Sequence, residues 1–510
     1  KNDLGGLTAV SLVTVCVYLI SFLANWSNTL IIQQLGQKML RTMRSEMFRH
    51  IQALSLTYFD RVPSGVVVSR LINDVQTMND LLSSGLITLF SNVFALLTTL
   101  IVMALLNWRL ALAVFAVLPL MPVALWIFTQ KAKVAYRNTR VKVAALTANL
   151  AESIAGVRVT QAFAREEESQ SQFDEVNNEN RIANINANTL SSGLMPVVEF
   201  NNALATVAVI AYGGTLIVHG QATIGVLVAF IAYITRFFQP IRELTQFYNQ
   251  LQAATAGAEK VFELLDEPIT VREVARPVTL PSVHGEVEFQ DVSFSYGREP
   301  VLDGVSFHAD PGEMIAMVGH TGAGKTTVAS LLARFYDPVE GSVLLDGRDL
   351  RTLSFETLRS SIGLVLQDNF LFAGTIADNI RYARPDASDE EVSRAARIAG
   401  AEDFILRLPL GFETAVMERA ANLSLGQRQL IAIARAVLAN PRVLILDEAT
   451  SNVDSHTEHL VQQGLQKLLA GRTSLVIAHR LSTIRAASQV LVLDAGRVIE
   501  QGRHQQLLER

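Results

Sequence analysis

The chain has 510 residues, of which 50% are hydrophobic and only 18% are charged, whereas about 25% of the residues in a soluble domain are charged. With a mean hydropathy of +0.29, this composition indicates membrane segments joined to a soluble part. The net charge of -5 gives no sign of a nucleic-acid partner. The single cysteine, Cys16, excludes an internal disulfide framework and a zinc site built on several cysteines.

Long runs without Asp, Glu, Lys or Arg dominate the first half of the chain, at residues 4–37, 81–108, 110–130 and 200–235. Each run is long enough for a helix that crosses a bilayer, which takes about 20 residues. The last run contains a glycine pair, Gly213 and Gly214, and a second glycine-rich stretch at 220–225. We therefore divide it into two spans, the first starting near Ser191, and predict five spans in all.

Basic residues follow the first, third and fifth spans, at Lys38, Arg41, Arg44, Arg49, Lys131, Lys133, Arg137, Arg140, Lys142, Arg236 and Arg242. Because Lys and Arg collect on the cytoplasmic side of membrane proteins, these span ends are predicted to be cytoplasmic. The second half of the chain is then inside and residue 1 outside. An odd number of spans with an external start leads us to expect a further span before Lys1.

The cytoplasmic connections, residues 34–80 and 131–180, are long and show helical spacing. We expect the span helices to continue through them into the cytoplasm, with a break at Pro63 and Gly65. Proline removes a helical hydrogen bond, so kinks are predicted at Pro119, Pro122 and Pro196.

Beyond residue 252 the pattern changes, and we divide the chain into a helical transmembrane domain (1–252), a linker (253–285) and an α/β domain (286–510). The linker prediction rests on three prolines and the lack of an amphipathic period at 266–285. After it, short Val-, Ile- and Leu-rich runs alternate with helical stretches. This alternation predicts a largely parallel, buried sheet.

The segment GHTGAGKTT follows an apolar strand and precedes a helical stretch, in the pattern of a phosphate-binding loop. Its glycines allow backbone N–H groups to face phosphate oxygens, while Lys325 contacts the β and γ oxygens and the Thr326 hydroxyl binds Mg²⁺. The predicted loop consists of Gly319, His320, Thr321, Gly322, Ala323, Gly324, Lys325, Thr326 and Thr327.

A second apolar strand, VLILDE, ends in two carboxylates. Asp447 is predicted to hold Mg²⁺, directly or through water, and Glu448 to polarise the attacking water. A strand-terminal Asp-Glu pair is also common as an ordinary helix cap. The phosphate loop in the same chain favours the catalytic interpretation.

With these motifs the sequence resembles the ATP-binding cassette (ABC) family, whose LSGGQ signature precedes the VLILDE strand. Here the signature reads LSLGQ, with Leu425 as the departure. The resemblance implies that Ser424, Gly426 and Gln427 contact the γ-phosphate of ATP held by an opposite cassette. Leu425 leaves Ser424 and Gly426 in place, so we expect function to survive.

The resemblance assigns further residues in chain order. Tyr296 resembles the aromatic residue that stacks on adenine, and Gln367 the glutamine-loop residue that acts with Mg²⁺ at the reaction. Asp454, in SNVD, resembles the loop across the dimer seam, and His479 the switch histidine. Glu418 and Arg419 match part of the family's acidic loop before the signature.

The first half of the chain resembles the exporter branch of the family, whose half-transporters fuse six spans to one cassette. The segments 58–75 and 152–166 resemble its two cytoplasmic loops, whose tips dock on the cassettes. The implied fold class is an α-helical transmembrane domain with long cytoplasmic extensions, followed by an α/β phosphate-loop ATPase domain. The implied ligands are ATP and Mg²⁺.

The resemblance implies an ATP-hydrolysing exporter of drugs or lipids in a bacterial inner membrane, with the cassette in the cytoplasm. An ATP-gated regulator or channel, or an importer on the same fold, remains an alternative. Leu425, SNVD and an intact Glu448 favour a heterodimer of half-transporters over a homodimer. Glu199, the one acid in an apolar stretch, either faces a substrate path or forms a structural hydrogen bond.

Overall fold

The structure is a computed structural model that describes residues 4–297, 299–366, 369–417, 420–447, 455–478 and 480–509. The chain divides into two compact units, which are described separately. The first unit comprises Lys1–Phe48 and Val68–Leu265, and the second comprises Arg49–Val67 and Asp266–Arg510.

The first half of the chain is almost wholly helical. Its helices are α1 Leu4–Ala53, α2 Leu56–Arg61, α3 Ser64–Ser69, α4 Val75–Asp80, α5 Leu86–Leu106, α6 Trp108–Val117, α7 Leu120–Ala155, α8 Val157–Ala162, α9 Glu166–Val218 and α10 Ile224–Asp266. Two π-helical turns, Arg70–Asp74 and Leu81–Gly85, join α3, α4 and α5. The chain is therefore helical without interruption over Ser64–Leu106.

Three helical segments are long and apolar enough to cross a membrane, Thr8–Ala53, Ser64–Leu106 and Pro196–Val218, and two shorter apolar helices are Trp108–Val117 and Ile224–Pro240. The division of the last apolar run is confirmed by the gap between α9 and α10. The break expected at Gly213 and Gly214 is wrong, because both lie inside α9. A Cβ at Gly213 would lie 2.6 Å from the Leu227 side chain, so this glycine serves close helix packing.

Of the three prolines at which kinks are predicted, only Pro119 lies at a break between helices. Leu118 and Pro119 form a turn between α6 and α7, which divides the third apolar run. Pro122 lies in the first turn of α7, a position where its missing N–H costs little. The helix α9 continues through Pro196.

The predicted helical extensions are also present. Helix α1 continues past Gln37 to Ala53, and the chain then breaks at Pro63 between α2 and α3, as expected. The long helices α7 and α9 run side by side, with Lys142 Nζ 2.7 Å from a carboxylate oxygen of Glu179. Farther along the same pair, the Thr139 hydroxyl donates to the Ala183 carbonyl. The contacts show that α7 and α9 are antiparallel, because the residue numbers fall along α7 while they rise along α9.

The core of the first unit lies where α6 meets α5, α9 and α10. Fully buried side chains from these helices pack together, including Leu110, Val209, Phe230, Ile234 and Phe238. In a bilayer this packing is stabilised by van der Waals contacts between the helices, since lipid tails are as apolar as these side chains.

The second unit contains the predicted α/β pattern. Its strands are β1 Val287–Phe294, β2 Leu302–Ala309, β3 Met314–Val318, β4 Glu340–Leu345, β5 Arg348–Asp349, β6 Ile362–Val365, β7 Gly374–Thr375, β8 Ala415–Val416, β9 Val443–Asp447, β10 Thr473–Ile477, β11 Gln489–Asp494 and β12 Arg497–Gly502. The main sheet has the order β12-β11-β3-β10-β9-β6. All of its strands are parallel except the edge strand β12.

A second sheet was not predicted from the sequence. It is antiparallel in the order β2-β1-β4-β5, and a stacked pair of rings, Phe289 and Phe307, lies across its first two strands. The hydrophobic faces of both sheets join in one core with Ile315, Met317 and Val328.

The helices of the second unit cover the sheets. They are α11 Lys325–Leu332, α12 Phe355–Ser361, α13 Ile376–Arg381, α14 Asp389–Ala399, α15 Glu402–Arg407, α16 Leu425–Ala439, α17 Ser455–Leu469, α18 Leu481–Ala486 and α19 His504–Leu508. A second hydrophobic cluster joins α13, α14, α16 and α17 to the strands β9 and β10. The helix α16 is the centre of this cluster, with Ile431 and Ala434 fully buried.

The predicted linker begins as helix, because α10 continues to Asp266. The rest of it follows the surface of the second unit. The carboxylate of Glu273 accepts from the Phe355 N–H at 2.7 Å, and the carbonyl of Arg272 accepts from the buried Arg334 guanidinium at 2.9 Å. Only residues after Asp266 therefore have the irregular structure that their prolines predict.

The segment 49–67, which includes α2, packs within the second unit. The Tyr336 hydroxyl donates to the Asp60 carboxylate at 2.6 Å, and Arg61 forms an ion pair with Glu267 at 2.7 Å. Burial and the neighbouring Asp60 raise the pKa of Tyr336 above its ordinary value, so the phenol keeps the proton that it donates. This segment is thereby fixed to the α/β unit.

Candidate functional site

The predicted phosphate loop lies between β3, a central strand of the main sheet, and the start of α11. Its first and last glycines have positive φ angles, 153° at Gly319 and 99° at Gly324. A Cβ at Gly319 would lie 2.2 Å from the Leu493 carbonyl oxygen, and one at Gly324 would lie 2.5 Å from the Leu302 side chain. Only glycine satisfies both the backbone conformation and the packing at these positions.

Lys325 is the first residue of α11 and its ammonium group lies across the loop. It donates to the carbonyls of Gly319 and His320 at 2.8 and 2.9 Å. The first turn of α11 contains no acidic residue. A helix N-terminus and a held ammonium group together form a site for an anion.

Asp447 and Thr326 are brought together by the sheet. Asp447 is the last residue of β9, and β10 lies between β9 and β3, so the carboxyl ends of these strands share one edge. Thr326 and Asp447 line the same small cavity of about 30 Å³, a volume that holds about one water-sized group.

A hydroxyl and a carboxylate fit Mg²⁺ in chemical type. Mg²⁺ prefers hard oxygen ligands and is usually bound through one or two carboxylates plus substrate phosphates and water. Thr326 and Asp447 supply such oxygens beside the phosphate loop. The two predicted ligands therefore line one cavity, whose other walls are largely apolar and include Phe335 and Ile477.

Tyr296 follows β1 and lies next to the phosphate loop. Its hydroxyl donates to the Thr327 hydroxyl at 3.3 Å, and its ring makes edge contacts with Phe294 and Tyr336 at centroid distances of 4.9 and 5.1 Å. The side chain is 43% exposed. A fixed aromatic ring with an open face is suited to stack on a planar base.

The signature segment begins a helix. Ser424 caps α16: its hydroxyl accepts from the Gln427 N–H at 3.2 Å, while the Gln427 side chain accepts from the Ser424 N–H at 2.9 Å. Leu425 is the first helical residue. The substitution in the signature is thus accommodated at a position where helix N-termini accept most residues, and Gly426 behind it is buried.

Six predicted functional residues lie outside the described part of the chain: Gln367, Glu418, Arg419, Glu448, Asp454 and His479. Three of them closely follow parallel strands in sequence: Gln367 follows β6, Glu448 follows β9, and His479 follows β10. The last residues of these strands, Val365, Asp447 and Ile477, lie at the edge of the sheet that carries the phosphate loop, because the carboxyl ends of parallel strands meet at one edge.

The structure also shows a supporting network that the sequence analysis missed. The fully buried Asn379 accepts from the Phe372 N–H at 2.9 Å and donates to the Thr375 carbonyl at 3.0 Å. Arg435 of α16 donates to the Asn379 and Phe370 carbonyls, and burial lowers the pKa of Arg435 from its ordinary value. This network attaches the chain after Gln367 to the signature helix. In the sequence, the only indication of this network is that Asn379 directly follows the capping pair Thr375 and Asp378.

Comparison with known proteins identifies a family for each half of the chain. The family profile described as "ABC transporter transmembrane region" matches residues 1–241, and that described as "ABC transporter" matches residues 302–451. The uncharacterized ABC transporter ATP-binding protein YknV of Bacillus subtilis (strain 168) is 43% identical over 97% of this chain and 82% of its own length. The chain belongs to the ABC transporter family.

Other relatives of this ABC transporter chain are described as lipid or fatty acid transporters. The ATP-dependent lipid A-core flippase of Syntrophus aciditrophicus (strain SB) is 36% identical, covering 98% of this chain and 83% of its own. The fatty acid ABC transporter ATP-binding/permease protein of Mycobacterium bovis (strain ATCC BAA-935 / AF2122/97) is 38% identical, covering 100% and 80%. A solved structure of a bacterial Atm1-family ABC exporter with ATP bound is 31% identical to this chain, with a TM-score of 0.78. The match covers 100% of this chain and 90% of that chain. The recognised exporter-type half-transporter, a membrane domain fused to one cassette, is thus confirmed.

Replacing Tyr296 by Ala is expected to weaken ATP binding by about tenfold, because stacking of an aromatic ring on a base contributes about 1–3 kcal/mol. Tyr296→Phe keeps the ring and loses only the bond to Thr327, so its affinity should stay within about threefold of wild type. Equilibrium binding of a fluorescent ATP analogue measures both variants. Equal weakening by Ala and Phe would show that the hydroxyl, not the ring, is responsible.

Proposed function

We propose that the chain is one half of an ATP-hydrolysing exporter that moves hydrophobic or amphipathic compounds, drugs or lipids, by alternating access. The observation that carries the proposal is the shared cavity of Thr326 and Asp447 beside the phosphate loop, in a chain that also contains a membrane domain. The descriptions of relatives as a lipid flippase and a fatty acid transporter support the substrate class.

In the proposed reaction, the loop N–H groups and Lys325 bind the β and γ phosphates of ATP, and Tyr296 positions the adenine. Thr326, Asp447 and Gln367 would hold Mg²⁺, which would supply charge neutralisation at the phosphates. Glu448 polarises the attacking water and His479 hydrogen-bonds the γ-phosphate. Inside the described part, the geometry that supports this assignment is the common edge of β3, β9 and β10.

We infer a two-chain assembly, because the signature and the phosphate loop act on one nucleotide only if they come from opposite cassettes. Ser424 and Gly426 then contact the γ-phosphate bound by the partner's phosphate loop, with Asp454 at the seam. A heterodimer is favoured over a homodimer by Leu425 and by SNVD in place of the commoner SALD. Native mass measurement of the purified complex distinguishes the two: one subunit mass indicates a homodimer, and two indicate a heterodimer.

Closure of the cassettes on ATP would switch the spans between inward and outward access. For this, ATP must bind the closed state more tightly than the open state, since a ligand with equal affinity for both states does not change their populations. We place the transporter in a bacterial inner membrane with the α/β domain in the cytoplasm, and retain 1–252, 253–285 and 286–510 as functional boundaries. The helical start of 253–285 makes this linker stiff over its first turns.

The substrate is best approached through the ATPase. Substrate-stimulated ATP hydrolysis across a panel of lipids, drugs and peptides should show stimulation by amphipathic compounds and none by highly charged peptides. Stimulation by charged peptides alone would contradict the proposed substrate class. The same panel, applied to a variant at Glu199, tests the role of this residue. The Glu199 side chain is exposed on α9, and Asn201, two residues farther along, is buried.

Ser424→Ala is expected to lower ATP hydrolysis by the assembled transporter about tenfold or more. The change removes a helix cap of about 1 kcal/mol and a hydrogen bond to a charged phosphate of about 1.5–3 kcal/mol. Leu425→Gly restores the commoner signature and is expected to leave the rate within about threefold. Steady-state ATPase and thermal unfolding separate the roles. A Ser424→Ala protein that loses stability but keeps its rate would show that Ser424 acts only as a cap.

A further inference from the structure

A polar cavity of about 480 Å³ lies in the first unit, between α1 and the segment from α4 to the start of α5. Amides and hydroxyls predominate in its lining, among them Asn28, Gln33, Gln37, Gln76, Asn79 and Ser83. The π-helical turn Leu81–Gly85 forms part of its wall. Such turns interrupt regular helices and are frequent at functional sites.

The cavity lies at the inner ends of two spans. Gln37 ends the first uncharged run and Asp80 immediately precedes the second, and the basic residues after the first run make these ends cytoplasmic. The deeper part of the lining comes from Ile32 and Ile87, inside the uncharged runs. A polar cavity at this level lies where the head of a membrane-bound amphiphile would be.

Asn79 is the decisive residue. It is 7% exposed, and among the described residues its Oδ1 has no hydrogen-bond partner. An unpaired amide oxygen costs about 1–3 kcal/mol when buried. Rotation of the amide about χ2 would turn this oxygen into the cavity without breaking a hydrogen bond that the oxygen makes. The oxygen needs a donor, so its partner should carry N–H or O–H groups.

Gly36 of α1 makes room at this oxygen. A Cβ at Gly36 would lie 2.7 Å from Asn79 Oδ1, which is closer than carbon and oxygen normally approach. Gly36 is inside a helix, where glycine is unfavourable by about 1 kcal/mol relative to Ala. Its presence is explained by the space that it leaves beside Asn79.

Charge restricts the head group further. Asp80 is the one charged residue in the described lining, and its carboxylate accepts from Gln76 at 2.8 Å. An acid in a partly enclosed cavity favours cations and disfavours anions. On the outer side of α1, Leu30, Ile31 and Leu35 are exposed and provide an apolar path for an alkyl chain.

We infer that this cavity binds the head of an amphiphile that donates hydrogen bonds, a primary ammonium or hydroxyl head, while the alkyl chain extends along α1. The inference rests on the proposed function and specifies its substrate class. The same head chemistry occurs in an aminolipid of the inner leaflet and in a free long-chain amine, and the experiment distinguishes these sources.

The test is equilibrium binding to the purified full chain in phosphatidylcholine nanodiscs without nucleotide, with protein-free discs as background. Dodecylamine should bind about tenfold more tightly than dodecyltrimethylammonium, which has the same charge and chain length but no N–H donor. Dodecyl sulfate should not compete. Exchange of the disc lipid for phosphatidylethanolamine should weaken dodecylamine binding if a membrane aminolipid is the ligand, and leave it unchanged if a free amine is.

Variants test the residues. Asn79→Leu should weaken dodecylamine binding about tenfold, whereas Asn79→Asp, which keeps an acceptor at the same position, should retain it. Equal affinities for the two cations, or unchanged dodecylamine binding by Asn79→Leu, would overturn the inference. Since nucleotide is absent, that result would leave the ATPase assignment untouched, and a failure of the ATPase tests would leave the binding result standing.

Discussion

Replacing Lys325 by Ala is expected to reduce steady-state ATP hydrolysis by about a hundredfold or more. The ammonium group lies over the loop, 2.8 Å from the Gly319 carbonyl oxygen, and is the proposed contact to the β and γ phosphates. Removal of one preorganised electrostatic contact to a reacting group typically costs about 10²–10³ in rate. ATP binding should weaken as well, since the proposed contact of Lys325 with the phosphates is present in bound ATP and becomes stronger in the transition state.

The matched control is Lys467→Ala, which removes an exposed lysine of α17 on the same unit. Its ATPase rate and ATP affinity should equal those of the wild type. Thermal unfolding of both variants checks that the loop is intact, because Lys325 also bonds two loop carbonyls. A Lys325→Ala protein that folds and hydrolyses ATP at a near wild-type rate would contradict the assignment of the loop.

Replacing Glu448 by Gln should abolish turnover while nucleotide binding persists. The change keeps the size of the side chain and removes the carboxylate proposed to polarise water, and loss of a general base costs about 10²–10⁴ in rate. Because Asp447 and Thr326, the proposed Mg²⁺ ligands, are unchanged in this variant, ATP affinity should stay within about threefold of wild type. Phosphate release and equilibrium ATP binding measure the two effects separately.

Glu390→Gln, at an exposed position of α14, controls for the loss of one negative charge and should leave both quantities unchanged. If the Glu448→Gln transporter hydrolyses ATP at a near wild-type rate, Glu448 does not polarise the water. If it loses ATP binding, the residue acts in nucleotide binding instead of the chemical step.

Local patterns in the sequence predicted the parts of the site that depend on neighbours in the chain. The strand, glycine loop and helix around Lys325 form because apolar residues, positive-φ glycines and a helical period follow one another within a short segment. The same holds for Ser424, whose cap involves only residues three positions away.

The strands β2 and β12 are not marked by apolar runs in the sequence, and each has a physical reason for its weak pattern. In β2, Asp303, Ser306 and His308 alternate with buried residues, so no continuous apolar run marks the strand. The strand β12 lies at the sheet edge and none of its residues is fully buried. An edge strand needs little hydrophobic surface, and its sequence therefore carries little signal.

Other features of the structure could not be predicted because they depend on contacts between residues far apart in the chain. The contact between Asp60 and Tyr336 joins residues far apart in the chain, and no periodicity predicts it. Helix α10 continues past residue 252, where the sequence pattern changes, to Asp266, and its Gly257 packs against Asp74, with a Cβ position 3.0 Å from the Asp74 carbonyl oxygen. The sequence alone does not distinguish a glycine that packs inside a helix from a glycine that ends one.

The central claim is that ATP hydrolysis drives transport across the membrane. The most direct test is accumulation of a stimulating amphiphile in sealed inside-out vesicles that contain the purified transporter, with Glu448→Gln as the control. The account predicts ATP-dependent accumulation above the external concentration with the wild-type protein and none with the variant. Equilibration without uphill accumulation would contradict an exporter and would support the ATP-gated channel, while ATP-driven depletion of the vesicles would indicate an importer.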